Sequence, residues 1–271
     1  MNESTAMKFS TSINFLFREV PFLDRFQAAA DAGFSGVEIQ LLEADADACA
    51  ARAKAADIPV VLLNVDMGDL LQGGPGLSGV PGQEERFLEA VKKAVAAANA
   101  MEASYIHLGP SKVPEGVSRA DCKRVFLQNL KAIQASGVME TSAAKLLIEP
   151  MNTVDMPDAL FSDFAEVAGF IQSDFLGFVG LQFDIYHVCK NGLDASVVFG
   201  AHAGLIEHVQ FSDVPSRGEP GTGTLGFESI FAALVEQGYT GWFGAEYFPQ
   251  KPSLETLGWL KKFKQVVPEN A

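Results

Sequence analysis

The sequence predicts an α/β fold, a (β/α)8 barrel in which each of eight parallel strands is followed by a helix. A short β-rich run and then a helical pattern recur eight times along the 271 residues. The repeat is about 34 residues, the usual spacing in such a barrel. Two of the strand candidates, LLIEP (146–150) and FGAEY (243–247), are short and apolar, as strands buried on both faces should be. No GxGxxG or GxxxxGK[ST] loop follows the first strand, which disfavours an open doubly wound sheet.

The predicted elements alternate in the order that the barrel requires. The strand candidates are residues 8–14, 36–40, 59–65, 105–109, 145–150, 180–186, 206–212 and 241–247. The helix candidates are residues 21–32, 45–56, 83–100, 119–136, 164–174, 193–201, 227–237 and 254–266. In the third helix, Phe87, Val91 and Val95 recur about one turn apart with Glu and Lys between them, the pattern of a helix with one buried face.

One domain is predicted over residues 1–271, with residues 1–6 as an extension outside the barrel, because no low-complexity linker divides the sequence. The first residues, MNESTAM, lack the basic start and apolar middle of a secretory signal. No apolar run reaches the roughly 18 residues that a membrane span needs. We therefore expect a cytoplasmic protein with no membrane partner.

The charge balance argues against nucleic acid as a partner. Twenty basic and 34 acidic side chains give a net charge of −14, and no Lys/Arg run interrupts this field. Such a surface repels phosphate backbones. An endonuclease on this fold would need a basic face and several histidines for zinc, whereas the chain has four histidines. A small-molecule enzyme is favoured instead.

Four oxygen-bearing side chains lie at or near the ends of consecutive predicted strands, where barrel enzymes carry their active sites. They are Glu149, Asp184, Gln210 and Glu246, on strands five to eight. A carboxylate in an apolar strand is costly unless it is paired or bound to a cation. The four oxygens favour Mg²⁺ or Mn²⁺ over Zn²⁺. Pairing with Lys or Arg at the rim is the alternative, but these segments hold few basic residues.

Other polar residues are predicted around this rim. Arg217 lies in a Gly- and Pro-rich loop after strand seven, and its guanidinium could bind a substrate carboxylate. His187 follows Asp184 and could bind a substrate hydroxyl. Asn64 and His107 end strands three and four and either face substrate or make structural hydrogen bonds, and His208 is expected behind Gln210.

Several motifs resemble those of the hydroxypyruvate isomerase family. They are IEPMNT (148–153), FDIYH (183–187), HVQFSD (208–213), RGEPGTG (217–223) and GAEY (244–247). The likeness extends from INFLF (13–17) to LGWL (257–260), and so covers nearly the whole chain. That family belongs to the sugar isomerase and epimerase superfamily, which shares the xylose isomerase-like barrel.

The resemblance implies roles for the rim residues. Glu149 and Glu246 would be metal ligands and also the two acid/base carboxylates, and Asp184 and Gln210 would complete the metal shell. His187 and Arg217 would contact substrate oxygens. The expected reaction is a proton transfer through an enediolate that converts hydroxypyruvate to 2-hydroxy-3-oxopropanoate (tartronate semialdehyde).

Alternatives remain open at this point. Thr224 and Val154 depart from the family's pattern, which leaves a 2-oxo-tetronate isomerase or a ketose 3-epimerase as other readings of the same site. A catalytically inactive barrel serving as a binding module is the non-enzyme alternative. We expect a homodimer or homotetramer, in which the glycine-rich segment 66–82 is either a lid or a subunit contact.

Overall fold

The computed structural model describes residues 7–175 and 177–264. Within them, eight parallel strands close into a barrel in sequence order, with β1 paired to both β2 and β8. This confirms the predicted fold class. The strands are β1 Lys8–Ser12, β2 Gly36–Ile39, β3 Val60–Asn64, β4 Tyr105–His107, β5 Lys145–Ile148, β6 Val179–Asp184, β7 Ile206–Phe211 and β8 Trp242–Ala245.

Helices surround this barrel. They are α1 Arg25–Asp31, α2 Ala46–Ala55, α3 Glu84–Met101, α4 Arg119–Ala135, α5 Phe164–Phe170, α6 Ile185–Lys190, α7 Ala195–His202, α8 Phe227–Glu236 and α9 Gly258–Lys264. Polar side chains begin several of them: Ser118 accepts from the backbone N–H of Asp121 at α4, and Asp163 accepts from that of Ala165 at α5. Among the described residues, no helix is both long and apolar enough to cross a membrane.

Aromatic side chains fill the layer between the first and last elements. Phe9 of β1 packs against Phe211, Phe231, Phe243 and Trp259, with ring centroids 5.7 to 6.1 Å apart. These rings come from β7, α8, β8 and α9, so they join the two ends of the chain. Barrel closure therefore has its own hydrophobic contacts in addition to the hydrogen bonds of β1 with β8.

The structure differs from the predicted elements at several boundaries. A short helix, α6, follows β6 directly, where none was predicted. Single 3₁₀ turns precede α1 and α9, and a π-helical segment, Ile171–Phe175, continues α5. Segment 66–82 is irregular apart from the turn Leu70–Gln72. The predicted extension at residues 1–6 and the end of the last helix, residues 265–266, lie outside the described residues.

Candidate active site

The carboxyl ends of strands β5 to β8 bring the four predicted metal ligands to one mouth of the barrel. Glu149 and Glu246 each come directly after a strand, whereas Asp184 and Gln210 lie within β6 and β7 as register partners. All four are buried, with at most 7% of each residue exposed. Asp184 has a further role, because its Oδ1 accepts the backbone N–H of Tyr186 at 2.8 Å and caps α6. Its Oδ2 remains for the site.

Arg217 reaches into this cluster from the loop after β7. Its Nη2 lies 3.1 Å from Asp184 Oδ2 and also donates to Glu246 Oε2. The residue has a φ of 54°, a left-handed conformation that is uncommon for residues other than glycine. The strained backbone and the two partly buried ion pairs separate Arg217 from an ordinary surface arginine.

Glu149 faces two histidines. Its Oε2 lies 3.5 Å from Nε2 of His107, and its Oε1 lies 3.8 Å from Nε2 of His187. Neither contact satisfies Oε1, which is buried and has no hydrogen-bond partner among the residues that the structure describes. Ligand atoms of Glu149, Asp184 and His187 lie within 4.8 Å of one another. A buried carboxylate oxygen without a donor is an expected place for a cation.

Burial and mutual repulsion shift the titration of these acids. Burial raises the pKa of Glu149 well above its usual value, and the charges of Asp184 and Glu246 raise it further. Burial also raises the pKa of Asp184 and brings that of Glu246 to about 7, although Arg217 opposes both shifts. The ionised cluster is therefore unfavourable in the protein alone.

The two neighbouring histidines are neutral at physiological pH for the same physical reason. Burial lowers the pKa of His107 to about 3 and lowers that of His187 well below its usual value, the second with a contribution from Arg217. Neither imidazole can balance the carboxylates. Arg217 offsets one of the three negative charges, so the ionised cluster keeps an excess of two, which one divalent cation would neutralise.

Asn64 and His107 are adjacent across β3 and β4, as register partners. Asn64 Oδ1 and His107 Nδ1 are both buried without a hydrogen-bond partner among the described residues. The sequence left a structural role and substrate contact open for both. Within the described part of the chain, these two atoms are left without a hydrogen-bond partner, which is uncommon for buried polar atoms.

Below the four rim residues lies a polar layer centred on Glu38 of β2, which is fully buried. Its carboxylate accepts from Ser10 Oγ at 2.6 Å and from Gln210 Nε2 at 2.7 Å, and it lies 2.9 Å from His208 Nε2. Burial alone would raise the pKa of Glu38, but His208 and these hydrogen bonds lower it. His208 is joined to Gln210 through Glu38.

Comparison with known proteins places the chain in a family. Residues 26–263 match the family model described as xylose isomerase-like TIM barrel. The chain belongs to the xylose isomerase-like TIM barrel family. Hydroxypyruvate isomerase from Escherichia coli (strain K12) is 30% identical over 259 residues, 95% of this chain and 100% of that protein. A 2-oxo-tetronate isomerase from Haemophilus influenzae is 33% identical over 261 residues, 95% of this chain and 99% of that protein.

A solved structure shows the same xylose isomerase-like fold. The crystal structure of an AP endonuclease, family 2, from Brucella melitensis superposes with a TM-score of 0.87 at 32% identity, covering 94% of this chain and 98% of that one. The curated relatives are isomerases, which confirms the prediction that the protein is an isomerase and the predicted family resemblance.

The residues of this xylose isomerase-like site suit a divalent cation. Three carboxylates converge, and one of their oxygens is buried without a donor among the described residues. When all three are ionised, they carry two negative charges beyond the one that Arg217 offsets. Gln210 adds an amide oxygen at the neighbouring strand position. Oxygen donors of this kind are those preferred by Mg²⁺ and Mn²⁺. A bound cation would compete with Arg217 for Asp184 and Glu246.

Sequence reasoning missed three residues that shape this xylose isomerase-like site: Glu38, Gln182 and Asn152. Gln182 donates to Gln210 Oε1 at 2.5 Å, and Asn152 contacts His187. Glu38 carried a usable signal, because it is an acid inside the apolar run GVEI. In the structure, Gly244 leaves room for this carboxylate, because a Cβ there would lie 2.0 Å from Glu38 Oε1.

Proposed function

We propose that the protein is a metal-dependent aldose–ketose isomerase that converts hydroxypyruvate to 2-hydroxy-3-oxopropanoate. The observation that carries the proposal is the convergence of Glu149, Asp184 and Glu246 at the barrel mouth, where one Glu149 oxygen has no hydrogen-bond partner within residues 7–175 and 177–264. The names of the curated relatives support an acid substrate of this size. Glu149, Asp184, Gln210 and Glu246 would hold Mg²⁺ or Mn²⁺, with Arg217 released from two of them.

A bound divalent cation supplies Lewis acidity toward the substrate carbonyl and the neighbouring hydroxyl. The protein's own groups then move the protons. One glutamate of the pair Glu149 and Glu246 removes a proton from C3 of hydroxypyruvate, and the other delivers a proton to C2. The hydroxyl proton passes from the C3 oxygen to the C2 oxygen, so the C3 alcohol becomes an aldehyde and the C2 ketone becomes an alcohol.

Arg217 supplies the positive charge that an acid substrate needs in a chain of net charge −14. A guanidinium binds carboxylates in two parallel hydrogen bonds, and this one is partly buried, so its interactions are weakly screened. His107 and Asn64 offer unpaired polar atoms that could bind the substrate hydroxyl or carbonyl. These contacts would orient the substrate between the two glutamates.

The test combines two substitutions with an exchange measurement. We expect Glu149→Gln and Glu246→Gln each to lower kcat by about 10²-fold or more, the contribution of a positioned acid or base, without loss of fold. Glu228→Gln changes an exposed acid of α8 in the same way and should keep wild-type activity. Near-normal turnover in either site variant would refute the assignment of the proton-transfer pair.

The relative named 2-oxo-tetronate isomerase favours a second candidate substrate, one carbon longer. Free ketoses, the substrates of a 3-epimerase, lack the carboxylate that Arg217 would bind. The metal-loaded enzyme should therefore be incubated in D₂O with hydroxypyruvate, a 2-oxo-tetronate and a free ketose. Incorporation of deuterium at carbon into hydroxypyruvate alone would support the first proposal, and exchange only into the ketose would replace it.

A further inference from the structure

His187 lies between two groups of opposite hydrogen-bonding character. Its Nδ1 is 3.2 Å from the backbone nitrogen of Asn152 and 2.7 Å from that residue's side-chain Nδ2. Its Nε2 faces carboxylates, at 3.6 Å from Asp184 Oδ2 and 3.8 Å from Glu149 Oε1. Two donors thus lie at Nδ1, whereas Nε2 faces two carboxylates and one further donor, Nη1 of Arg217.

The orientation of the Asn152 amide is fixed independently of the histidine. Its Oδ1 accepts the backbone N–H groups of Val154 at 3.1 Å and of Asp155 at 2.7 Å. Its Nδ2 donates to the carboxylate of Asp155 at 3.1 Å, in addition to its contact with His187. A backbone N–H only donates and a carboxylate only accepts, so the amide cannot be reversed. Asn152 is fully buried, which prevents water from substituting for these partners.

We infer that Asn152 is a positioning residue that holds His187 in the tautomer with its hydrogen on Nε2. A neutral imidazole has one donor nitrogen and one acceptor nitrogen. Both N–H groups of Asn152 point at Nδ1, which must therefore accept, and the hydrogen is left on Nε2. In the proposed function, on which this role rests, His187 then donates to a substrate oxygen.

One contact competes with this tautomer. Nη1 of Arg217 lies 3.4 Å from Nε2 of His187, and a guanidinium can only donate. The competing contact is single and long, whereas Asn152 places two donors on Nδ1, one of them at 2.7 Å. The shorter pair decides the tautomer, since hydrogen-bond strength falls with distance.

The tautomer also decides how His187 relates to the metal. The atoms of Glu149, Asp184 and His187 are close enough to be read as a ligand set. A nitrogen that carries hydrogen has no lone pair to give a cation. His187 is therefore excluded from the metal shell, and Gln210 and Glu246 complete it as the resemblance implies.

Nitrogen-15 NMR of the imidazoles tests the inference directly on the wild-type protein. Protonated and unprotonated ring nitrogens have well-separated shifts, the chain has four histidines, and His187→Gln assigns the signal by removing it. We expect an unprotonated Nδ1 and a protonated Nε2 for His187 at neutral pH. A hydrogen on Nδ1 would overturn the inference without any variant being needed.

Two matched variants test the role of Asn152. Asn152→Asp keeps the acceptor for Val154 and Asp155 but replaces the side-chain donor 2.7 Å from Nδ1 by an acceptor. Only the longer backbone N–H, at 3.2 Å, then still donates to Nδ1, so the hydrogen should move to Nδ1. Asp155→Asn alters the charge of the same cluster while leaving both Asn152 donors in place, and it should keep the hydrogen on Nε2. An Asn152→Asp protein that folds and retains the Nε2 hydrogen would overturn the positioning role.

Titration with Mn²⁺ tests the consequence for metal binding. We expect His187→Gln to bind Mn²⁺ within about threefold of the wild type, whereas Glu149→Gln should lose at least tenfold. Equal losses in both would place His187 among the ligands and refute the tautomer argument. Failure of the wild-type enzyme to turn over hydroxypyruvate would instead remove the proposed function, and the NMR result would distinguish the two failures.

Discussion

Substitution of Glu38 by Gln should weaken cation binding at the proposed metal site through its effect on Gln210. Glu38 accepts hydrogen bonds from Ser10 and Gln210 and contacts His208, and a carboxylate can accept from all three. A glutamine in its place has one acceptor oxygen and an NH₂ group that only donates. If its oxygen keeps Ser10 and His208, its NH₂ group meets the NH₂ group of Gln210, which must then rotate.

The rotation would turn the NH₂ group of Gln210, instead of its amide oxygen, toward the proposed cation. At present the amide oxygen of Gln210 points to β6, where it accepts from Gln182 beside Asp184. After rotation a donor takes that place. Loss of such a supporting contact costs about 10- to 100-fold in metal affinity. Exchanging three charge-assisted contacts for neutral ones costs about 1 kcal/mol each, or about 3 kcal/mol in the free energy of unfolding.

Isothermal titration with Mn²⁺ and calorimetric unfolding of the metal-free protein measure the two effects separately. About 3 kcal/mol should lower Tm by about 6–12 °C in a chain of this size. Glu207→Gln is the matched control, because Glu207 lies on β7 in a partly exposed pair with Lys145, where a lost ion pair costs at most about 1 kcal/mol. Wild-type Mn²⁺ affinity in a folded Glu38→Gln protein would refute the reasoning.

Three further predictions concern the rim. Removing divalent cations with a chelator and then adding Mn²⁺ to about 100 times its Kd should raise Tm by about 5–11 °C, equivalent to about 2.7 kcal/mol; an unchanged Tm would count against a metal site. In the absence of metal, Glu149→Gln should become more stable relative to the wild type as pH rises above 4.5. The pKa of Glu149 is raised in the folded wild type, so the folded state binds more protons than the unfolded state and loses stability as the group ionises. A difference in Tm that does not change with pH would contradict the burial of this charge. Arg217→Ala should raise KM for hydroxypyruvate by about 10- to 100-fold, the value of a charge-assisted carboxylate contact, with a smaller effect on a neutral sugar; equal effects would remove the carboxylate role.

The fold could be predicted because its signals are local and repeated. Each strand is short, and the eightfold alternation of strands with helices leaves few other topologies. The one helix that was not predicted, α6, also has a local cause. Helix α6 begins within the motif FDIYH, whose aromatic and β-branched residues favour a strand, and it forms because Asp184 caps it.

The predicted rim residues were found because parallel strands end together. Glu149, Asp184, Gln210 and Glu246 needed only the rule that active sites lie at the carboxyl ends of barrel strands. The ion pairs of Arg217 with Asp184 and Glu246 could not be predicted in this way, because they depend on how a loop folds back across the mouth. The spacing of residues in the sequence does not indicate that this loop brings Arg217 to Asp184 and Glu246.

Glu38 and Asn152, which the rule about strand ends does not pick out, share one physical function: each fixes the hydrogen-bonding polarity of a neighbouring side chain. Gln210 and His187 can each present either a donor or an acceptor, and neither polarity is fixed by residue type. Glu38 is acceptor-only and forces the NH₂ group of Gln210 away from the rim, while the oriented amide of Asn152 forces the hydrogen of His187 toward it. A site that must bind a cation with one side chain and donate to a substrate with its neighbour needs both constraints. Since each constraint is imposed from outside the four rim positions, substitutions at Glu38 and Asn152 should change which ligands bind before they change the fold.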